Sequence, residues 1–141
     1  MAQEPIGRIA AIIFENPQKQ ILLYLRDDKP SIPFPAHWDL FGGHVEEDET
    51  PEEALVREIK EELDIDLAPS DFHFWKTFEC LKGDAKPNIK HVYSGKIDVP
   101  ENELTLHEGQ YPKYFPREEL PNLKFANILG KIVQEYVEEH S

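Results

Sequence analysis

The sequence predicts an α/β protein, a sandwich with helices on both sides of a mixed sheet. Short apolar stretches of strand character recur between turn residues, and a central segment carries the start signal and periodicity of an amphipathic helix. A second apolar pattern of helical spacing fills the C-terminal end. Strands interspersed with two principal helices bury their apolar faces most simply in layers. The 141 residues match one ordinary domain, and no internal repeat, low-complexity tract or Gly/Ser linker divides them. Residues 1–141 are therefore read as a single domain.

In chain order, Arg8 to Phe14 reads as a buried strand and Gln20 to Arg26 as a second. Glu15-Asn16-Pro17-Gln18-Lys19 between them supplies turn chemistry, so the two form a hairpin. From Asp27 to His37 the chain is loop, because Pro30, Pro33 and Pro35 each remove a backbone donor and exclude helix. A short extended piece, Trp38 to Phe41, runs into Gly42-Gly43. The clearest helix follows. Thr50 is placed to cap it, Pro51 suits its first position, and Glu53 completes a capping box, with the end near Leu63. Strands are expected around Phe72 to Glu79 and Ile89 to Ile97, joined by a turn near Lys82-Gly83-Asp84. A short strand near Lys113 to Phe115 and a helical turn at Arg117 to Leu120 come next. From Ala126 to Glu139, Ile128, Leu129, Ile132, Val133, Tyr136 and Val137 repeat at helical spacing and predict a helix packed on the sheet.

Composition narrows the function. A formal net charge of −13 works against binding a nucleic-acid backbone or an anionic membrane. It leaves room for a small phosphorylated ligand if divalent cations sit between carboxylates and phosphates. The longest apolar run, Ile9 to Phe14, is far too short to span a bilayer, and no export signal is visible. The single cysteine, Cys80, forms no internal disulfide and reads as a small half-buried hydrophobe. The expectation is a reducing, cytoplasmic setting.

Chemistry concentrates on the central helix. At roughly 100° per residue, Leu55, Val56, Ile59 and Leu63 share the buried arc, and Glu58, Glu61 and Glu62 share a neighbouring one. Carboxylates three and four residues apart are neighbours and repel. A hard divalent cation reverses that sign, since Mg²⁺ takes oxygen ligands from carboxylates and substrate phosphates. The plain alternative is a solvated acidic face. Two further features favour a site: Gly42-Gly43 permits close backbone approach to a ligand, and Arg57 can neutralise or orient a carboxylate such as Glu49.

The stretch from Gly43-His44-Val45-Glu46-Glu47-Asp48-Glu49 through Arg57-Glu58-Ile59-Lys60-Glu61-Glu62-Leu63-Asp64-Ile65 resembles the Nudix box. Every defined position matches except Asp64, which stands where the family has glycine. That glycine ends the helix in a left-handed conformation, which Asp tolerates better than most residues, at a cost of about 1 kcal/mol or less. The resemblance implies a Nudix-type α/β/α sandwich and Mg²⁺-dependent hydrolysis of the diphosphate linkage of a nucleotide derivative, with Mn²⁺ an alternative cofactor. It assigns metal binding to Glu58, Glu61 and Glu62, to a backbone carbonyl of Gly42 or Gly43, and to Glu108. Glu61 is favoured as general base among these glutamates, and Arg57 and Glu49 are expected to hold them in place.

Outside the box, the nearest pattern is the MutT-like branch, which hydrolyses nucleoside triphosphates, oxidised purine ones included. Glu108-Gly109-Gln110 is similar to a segment that brings a further metal-site carboxylate there. Ala126-Asn127 looks like the pair that reads the purine, and Arg26 lies where an arginine contacts substrate. Each has a plainer reading: a turn at Glu108-Gly109, a helix N-cap at Asn127, and a surface ion pair at Arg26. Phe34, Trp38 and Phe78 are candidates to stack on a base, with core packing as the alternative, and His44 either reaches a phosphate or faces solvent.

The expected partner is a small-molecule nucleotide rather than a nucleic-acid polymer or a membrane. Family members are often dimers, so a homodimer is an admissible assembly. Other enzymes of the family act on nucleotide sugars, dinucleoside polyphosphates or ADP-ribose, with Asp28 to Pro35 and the turn near Gly83 lining the pocket. A silent nucleotide-binding module is a further alternative, against which the complete set of box glutamates counts. Isoprenoid-diphosphate isomerase relatives need a catalytic cysteine, for which only Cys80 is available.

Overall fold

The computed structural model describes residues 6–81 and 86–140, so the turn expected near Lys82-Gly83-Asp84 lies outside the described residues. Strand β1 (Gly7–Glu15) is the spine of a mixed sheet of seven strands among those residues. It pairs antiparallel with β2 (Ile21–Leu25) at Phe14↔Leu22, which is the expected hairpin. Asn16 closes the turn, its Oδ1 accepting from the backbone N–H of Gln18 (3.1 Å) and of Gln20 (2.8 Å). After β3 (Trp38–Asp39), which pairs with β2, comes β4 (Phe41–His44), antiparallel to the first half of β1. On the other side β1 runs parallel to β6 (Asn88–Lys96), which pairs antiparallel with β5 (Phe72–Cys80). The last strand, β7 (Tyr111–Phe115), pairs with β2.

Alternation along β1 divides the core. Ala10, Ile12 and Phe14 face helix α1 (Pro51–Leu63) and pack on its Leu55, Ile59 and Leu63. Ala11 and Ile13 face helix α2 (Leu129–Glu139) and meet Leu129, Ile132 and Val133, joined by Val92 of β6. Each face of the sheet carries one helix, the three-layer α/β/α arrangement expected from the sequence. Among the described residues, no helix is long and apolar enough to cross a membrane.

Helix α1 begins where the sequence signals it. The Thr50 Oγ1 accepts from the Glu53 N–H at 3.1 Å, and the Glu53 carboxylate accepts from the Thr50 N–H at 2.9 Å. It ends at Asp64, left-handed at φ 57° and ψ 36°, with its N–H donating to the Lys60 carbonyl. Two short 3-10 turns, Pro69–Asp71 and Glu101–Glu103, have no counterpart in the sequence reading, and that at Arg117–Asn122 lengthens the expected one.

The C-terminal helix differs at its start. Helical periodicity reaches back to Ala126, yet α2 begins at Leu129. Trp38 holds the preceding segment, donating its N–H to the Lys124 carbonyl (2.8 Å) and accepting at its own carbonyl from the Ala126 N–H (2.9 Å). Asn127 then turns left-handed at φ 47° and takes the Ile128 N–H on its Oδ1. It is therefore not the N-cap of α2, which is Ile128.

Candidate active site

Box residues are assembled by the meeting of β4 and α1. Gly43 gives the helix room: a Cβ there would lie 2.6 Å from both carboxylate oxygens of Glu58. Arg57 organises the carboxylates around it. Its Nε and Nη2 donate to Glu49 at 2.8 and 2.9 Å, and its Nη1 donates to Glu58 at 2.8 Å. Nη2 also donates to the His44 carbonyl at 3.0 Å, tying the helix to the end of β4. A fork of this kind fixes both position and orientation. The Arg57 hydrogen bonds draw the Glu49 carboxyl down to about 2, and the same contacts, Glu49 first, raise the guanidinium.

Glu62 is the exceptional group. It does not share a flanking arc with Glu58 and Glu61 but lies on the buried stripe, one turn beyond Ile59, only 3% exposed. Neither of its carboxylate oxygens has a well-formed hydrogen bond, although the Glu58 carboxylate and the Gly42 backbone N–H lie near. Burial, then Glu108 and Glu58, push its proton affinity far above the ordinary carboxylate range. Glu61, the adjacent residue, diverges: its side chain is 59% exposed and lies 3.6 Å from Arg57.

Glu108 is delivered from the far side. Gln110 donates its backbone N–H to the Leu25 carbonyl and its Nε2 to the Arg26 carbonyl, both at 2.8 Å. Gly109 makes this clamp possible, left-handed at φ 80°, where a Cβ would be 2.7 Å from the Leu25 carbonyl oxygen. The His107 N–H reaches the Glu62 carbonyl at 2.9 Å. Burial and the neighbouring Glu58 and Asp39 raise Glu108 as well.

Among the described residues no three His, Cys, Asp or Glu side chains are gathered tightly enough to hold a metal as they stand. The donor chemistry nonetheless fits a hard divalent cation. An unpartnered, buried carboxylate faces two more acids, an arrangement that costs several kcal/mol without a counter-charge. An all-oxygen set suits Mg²⁺ or Mn²⁺ rather than a soft metal.

A cleft of about 740 Å³ opens beside these groups, and Arg26, Gly42, Gly43, His44, Glu108 and Asn127 all line it. Glu49, Arg57, Glu58, Glu61 and Glu62 do not, so Glu108 and the Gly42-Gly43 backbone are what join the cleft to the box acids. Arg26 is committed to the wall, its Nη1 donating to Asp39 at 2.8 Å and its Nε to the Pro33 carbonyl at 3.1 Å. His44 is exposed at the rim. Phe34 lines the cleft, while Trp38 and Phe78 pack into the core on the α2 side.

Three lining residues escape a linear reading: Asp39, Asn88 and Lys90. Burial pushes Asp39 above the usual carboxylate range despite Arg26. Lys90 is buried and donates to the Asn88 Oδ1 at 2.6 Å. The available signal was the alternation Asn88, Lys90, Val92, polar residues in phase with a core position.

Residues 5–136 match the family model described as NUDIX domain. An RNA pyrophosphohydrolase of Gluconacetobacter diazotrophicus is 38% identical over 146 aligned positions, covering 90% of this chain and 85% of that protein. A dihydroneopterin triphosphate diphosphatase of Haemophilus influenzae is 24% identical over 63% of this chain. That alignment takes in 53% of the relative, so the chain spans about half the length of such proteins. A MutT protein from Methanosarcina mazei superposes with a TM-score of 0.77 at 22% identity, over 100% of this chain and 99% of that one.

Proposed function

The chain belongs to the NUDIX family, and on that premise we propose that it is a divalent-cation-dependent hydrolase of the diphosphate linkage of a nucleotide derivative. A nucleoside triphosphate, oxidised purine forms included, is the preferred substrate, cleaved to monophosphate and pyrophosphate. The observation that carries this is Glu62, a buried carboxylate without hydrogen-bond partners, facing Glu58 and Glu108 beside a cleft of about 740 Å³. That volume lies within the range of about 300–1,000 Å³ usual for small-molecule sites.

Glu58, Glu62 and Glu108 would hold the cation, with Glu61 and the Gly42 carbonyl as further ligands. A Mg²⁺ held by these residues would supply charge neutralisation at the phosphoryl oxygens and lower the pKa of an attacking water. Arg57 keeps Glu58 in place and Glu49 ionised, leaving Glu61 the more exposed acid and the candidate general base. Asn127 and Phe34 border the part of the cleft where the base would lie, and Arg26 stiffens the wall between base and phosphates through Asp39. Names of relatives that act on a triphosphate end, dihydroneopterin triphosphate among them, support a triphosphate over a nucleotide sugar.

The test is a panel of nucleoside triphosphates, nucleotide sugars, dinucleoside polyphosphates and ADP-ribose, incubated with Mg²⁺ and resolved by ion-exchange chromatography. Release of monophosphate and pyrophosphate from triphosphates is expected. Preferential turnover of a sugar nucleotide, or binding with no turnover of any compound, would replace the assignment.

A further inference from the structure

The cleft takes residues from both faces of the sheet, and its α2 side carries a buried lysine, Lys90. Lys90 is aligned with Ile9 across the parallel β1–β6 pair, two residues before Val92 opposite Ala11. Val92 and Ala11 pack toward α2, so by strand alternation Asn88 and Lys90 leave the same face. Glu58 and Glu62 belong to α1, which packs on the opposite face of the sheet, and Glu108 is the glutamate that lines the cleft itself. A ligand whose phosphates lie with these acids would meet Lys90 with its other part.

Its setting is unusual for lysine. At 3% exposure it lines a cleft whose other walls include Ile9, Ala11, Leu40 and Leu129. An ammonium in such surroundings is expensive unless oxygen atoms meet it. Asn88 provides one at 2.6 Å, and Asp39 lies near enough to feel the charge. The Asn88 contact also fixes where Nζ sits, since a lysine stem is otherwise free to turn.

We propose that Lys90, positioned by Asn88, selects heterocycles that present a carbonyl oxygen to the floor of the cleft, as guanine, oxidised guanine and pterins do. The proposal rests on the cleft binding a nucleotide, as inferred above, and names the class of base it takes. Lysine has donors only. A ring carbonyl accepts from it, whereas the exocyclic amino group of adenine would set donor against donor. A hydrogen bond to a charged group is worth about 1.5–3 kcal/mol, roughly a 10- to 100-fold preference.

The experiment measures calorimetric binding of GMP and AMP with Mg²⁺ to the full chain and its Lys90→Met and Asn88→Ala variants, alongside kcat/KM for GTP and ATP. Neither monophosphate has a diphosphate to cleave, so binding reads base recognition apart from catalysis. The wild type is expected to favour GMP about tenfold or more. Lys90→Met should erase most of that ratio, with the GTP loss mainly in KM, and Asn88→Ala should reduce it partly. Equal weakening of both nucleotides, which is what a phosphate contact gives, overturns the proposal. So does an unchanged ratio, a wild type without preference, or no binding of either monophosphate. If circular dichroism shows that Lys90→Met does not fold, Asn88→Ala decides alone by the same ratio. A GMP preference erased by Lys90→Met in a chain that hydrolyses neither these triphosphates nor any compound of the panel upholds Lys90 and removes the hydrolase assignment. Hydrolysis with an unaltered base ratio does the reverse.

Discussion

Two buried glutamates at opposite ends of the molecule have opposite fates. Glu15, 4% exposed at the last residue of β1, is fully partnered. Its Oε1 accepts from the Tyr136 hydroxyl at 2.5 Å and pairs with Arg117 at 3.1 Å, and Lys96 lies 3.4 Å from Oε2. Although its burial favours the neutral acid, Tyr136, Lys96 and Arg117 together draw its carboxyl below the ordinary range. Glu62, equally buried, has Glu58 and Glu108 for neighbours and is pushed the other way. Both ends contain an arginine. Arg117 spends its charge on the buried acid itself, while Arg57 spends its charge on Glu49 and Glu58 and leaves Glu62 unneutralised. Residue type and burial do not tell the two acids apart; their partners do.

The sharpest way to break this contrast is Glu62→Gln. Hydrolysis should fall about 10³-fold or more, equivalent to roughly 4 kcal/mol of transition-state stabilisation, while the metal-free fold is no less stable. Steady-state kinetics and thermal melts check both halves, and near-normal turnover would end the metal-site assignment. The pH dependence has a definite sign. A carboxyl raised on folding contributes stability below its unfolded pKa and loses it as pH rises toward the folded value. Melts of the metal-free wild type should therefore decline above about pH 5 relative to Glu62→Gln, and Mg²⁺ should narrow the gap.

Arg57→Lys comes next. A lysine keeps the charge but cannot span Glu49, Glu58 and the His44 carbonyl at once, so kcat should drop about 10- to 100-fold with the fold retained. A loss confined to KM would show that Arg57 binds substrate instead of holding the glutamates.

The contrast was only half legible in the sequence. The start of helix α1 is readable to the residue because its signals are local: Thr50 and Glu53 cap each other within a turn and Pro51 suits the first position. The spacing Leu55, Ile59, Glu62 already places Glu62 on the buried stripe, yet its charge drew it to the flank with Glu58 and Glu61. What surrounds it is not local. Glu108 arrives only because Gly109 and Gln110 clamp a distant loop onto the end of β2. Asp39 and Lys90 likewise owe their places in the cleft to strand pairing, and the start of α2 to the bridge with Trp38. Glu15 gave no sign at all, since Tyr136 and Arg117 are remote in sequence.

Glu15→Gln tests the partnered end. It preserves shape but strands Arg117 beside a neutral amide, and should cost about 2 kcal/mol, a fall of roughly 4–8 °C in Tm. Hydrolysis should change little, because the cleft is lined by the other end of β1, at Gly7, Ile9 and Ala11. Here the sign reverses. A carboxyl lowered on folding gives stability above its unfolded pKa and loses it as pH falls through the folded value, so the variant should lose less stability than the wild type on acidification. A large loss of activity without destabilisation would mean the two ends are coupled.

Asp64→Gly should have the smallest effect, and it separates the end of α1 from the acids the helix carries. Asp64 holds φ 57°, where a side chain costs about 1 kcal/mol relative to glycine, less for Asp. Against that gain, the substitution removes an exposed pair with Lys60 at 3.1 Å, worth between nothing and about 1 kcal/mol. Lys60 keeps its second partner, Asp66, at 3.2 Å, so the loss falls at the low end of that range. Stability should thus rise by less than about 1 kcal/mol, read as a shift in urea midpoint at constant slope. Turnover should stay at the wild-type level, since the substitution restores the residue the box motif carries there and touches neither Glu58 nor Glu62. If activity instead fell, Asp64 would belong with Glu62 as a working acid, and the difference between partnered and unpartnered carboxylates would no longer sort the helix by function.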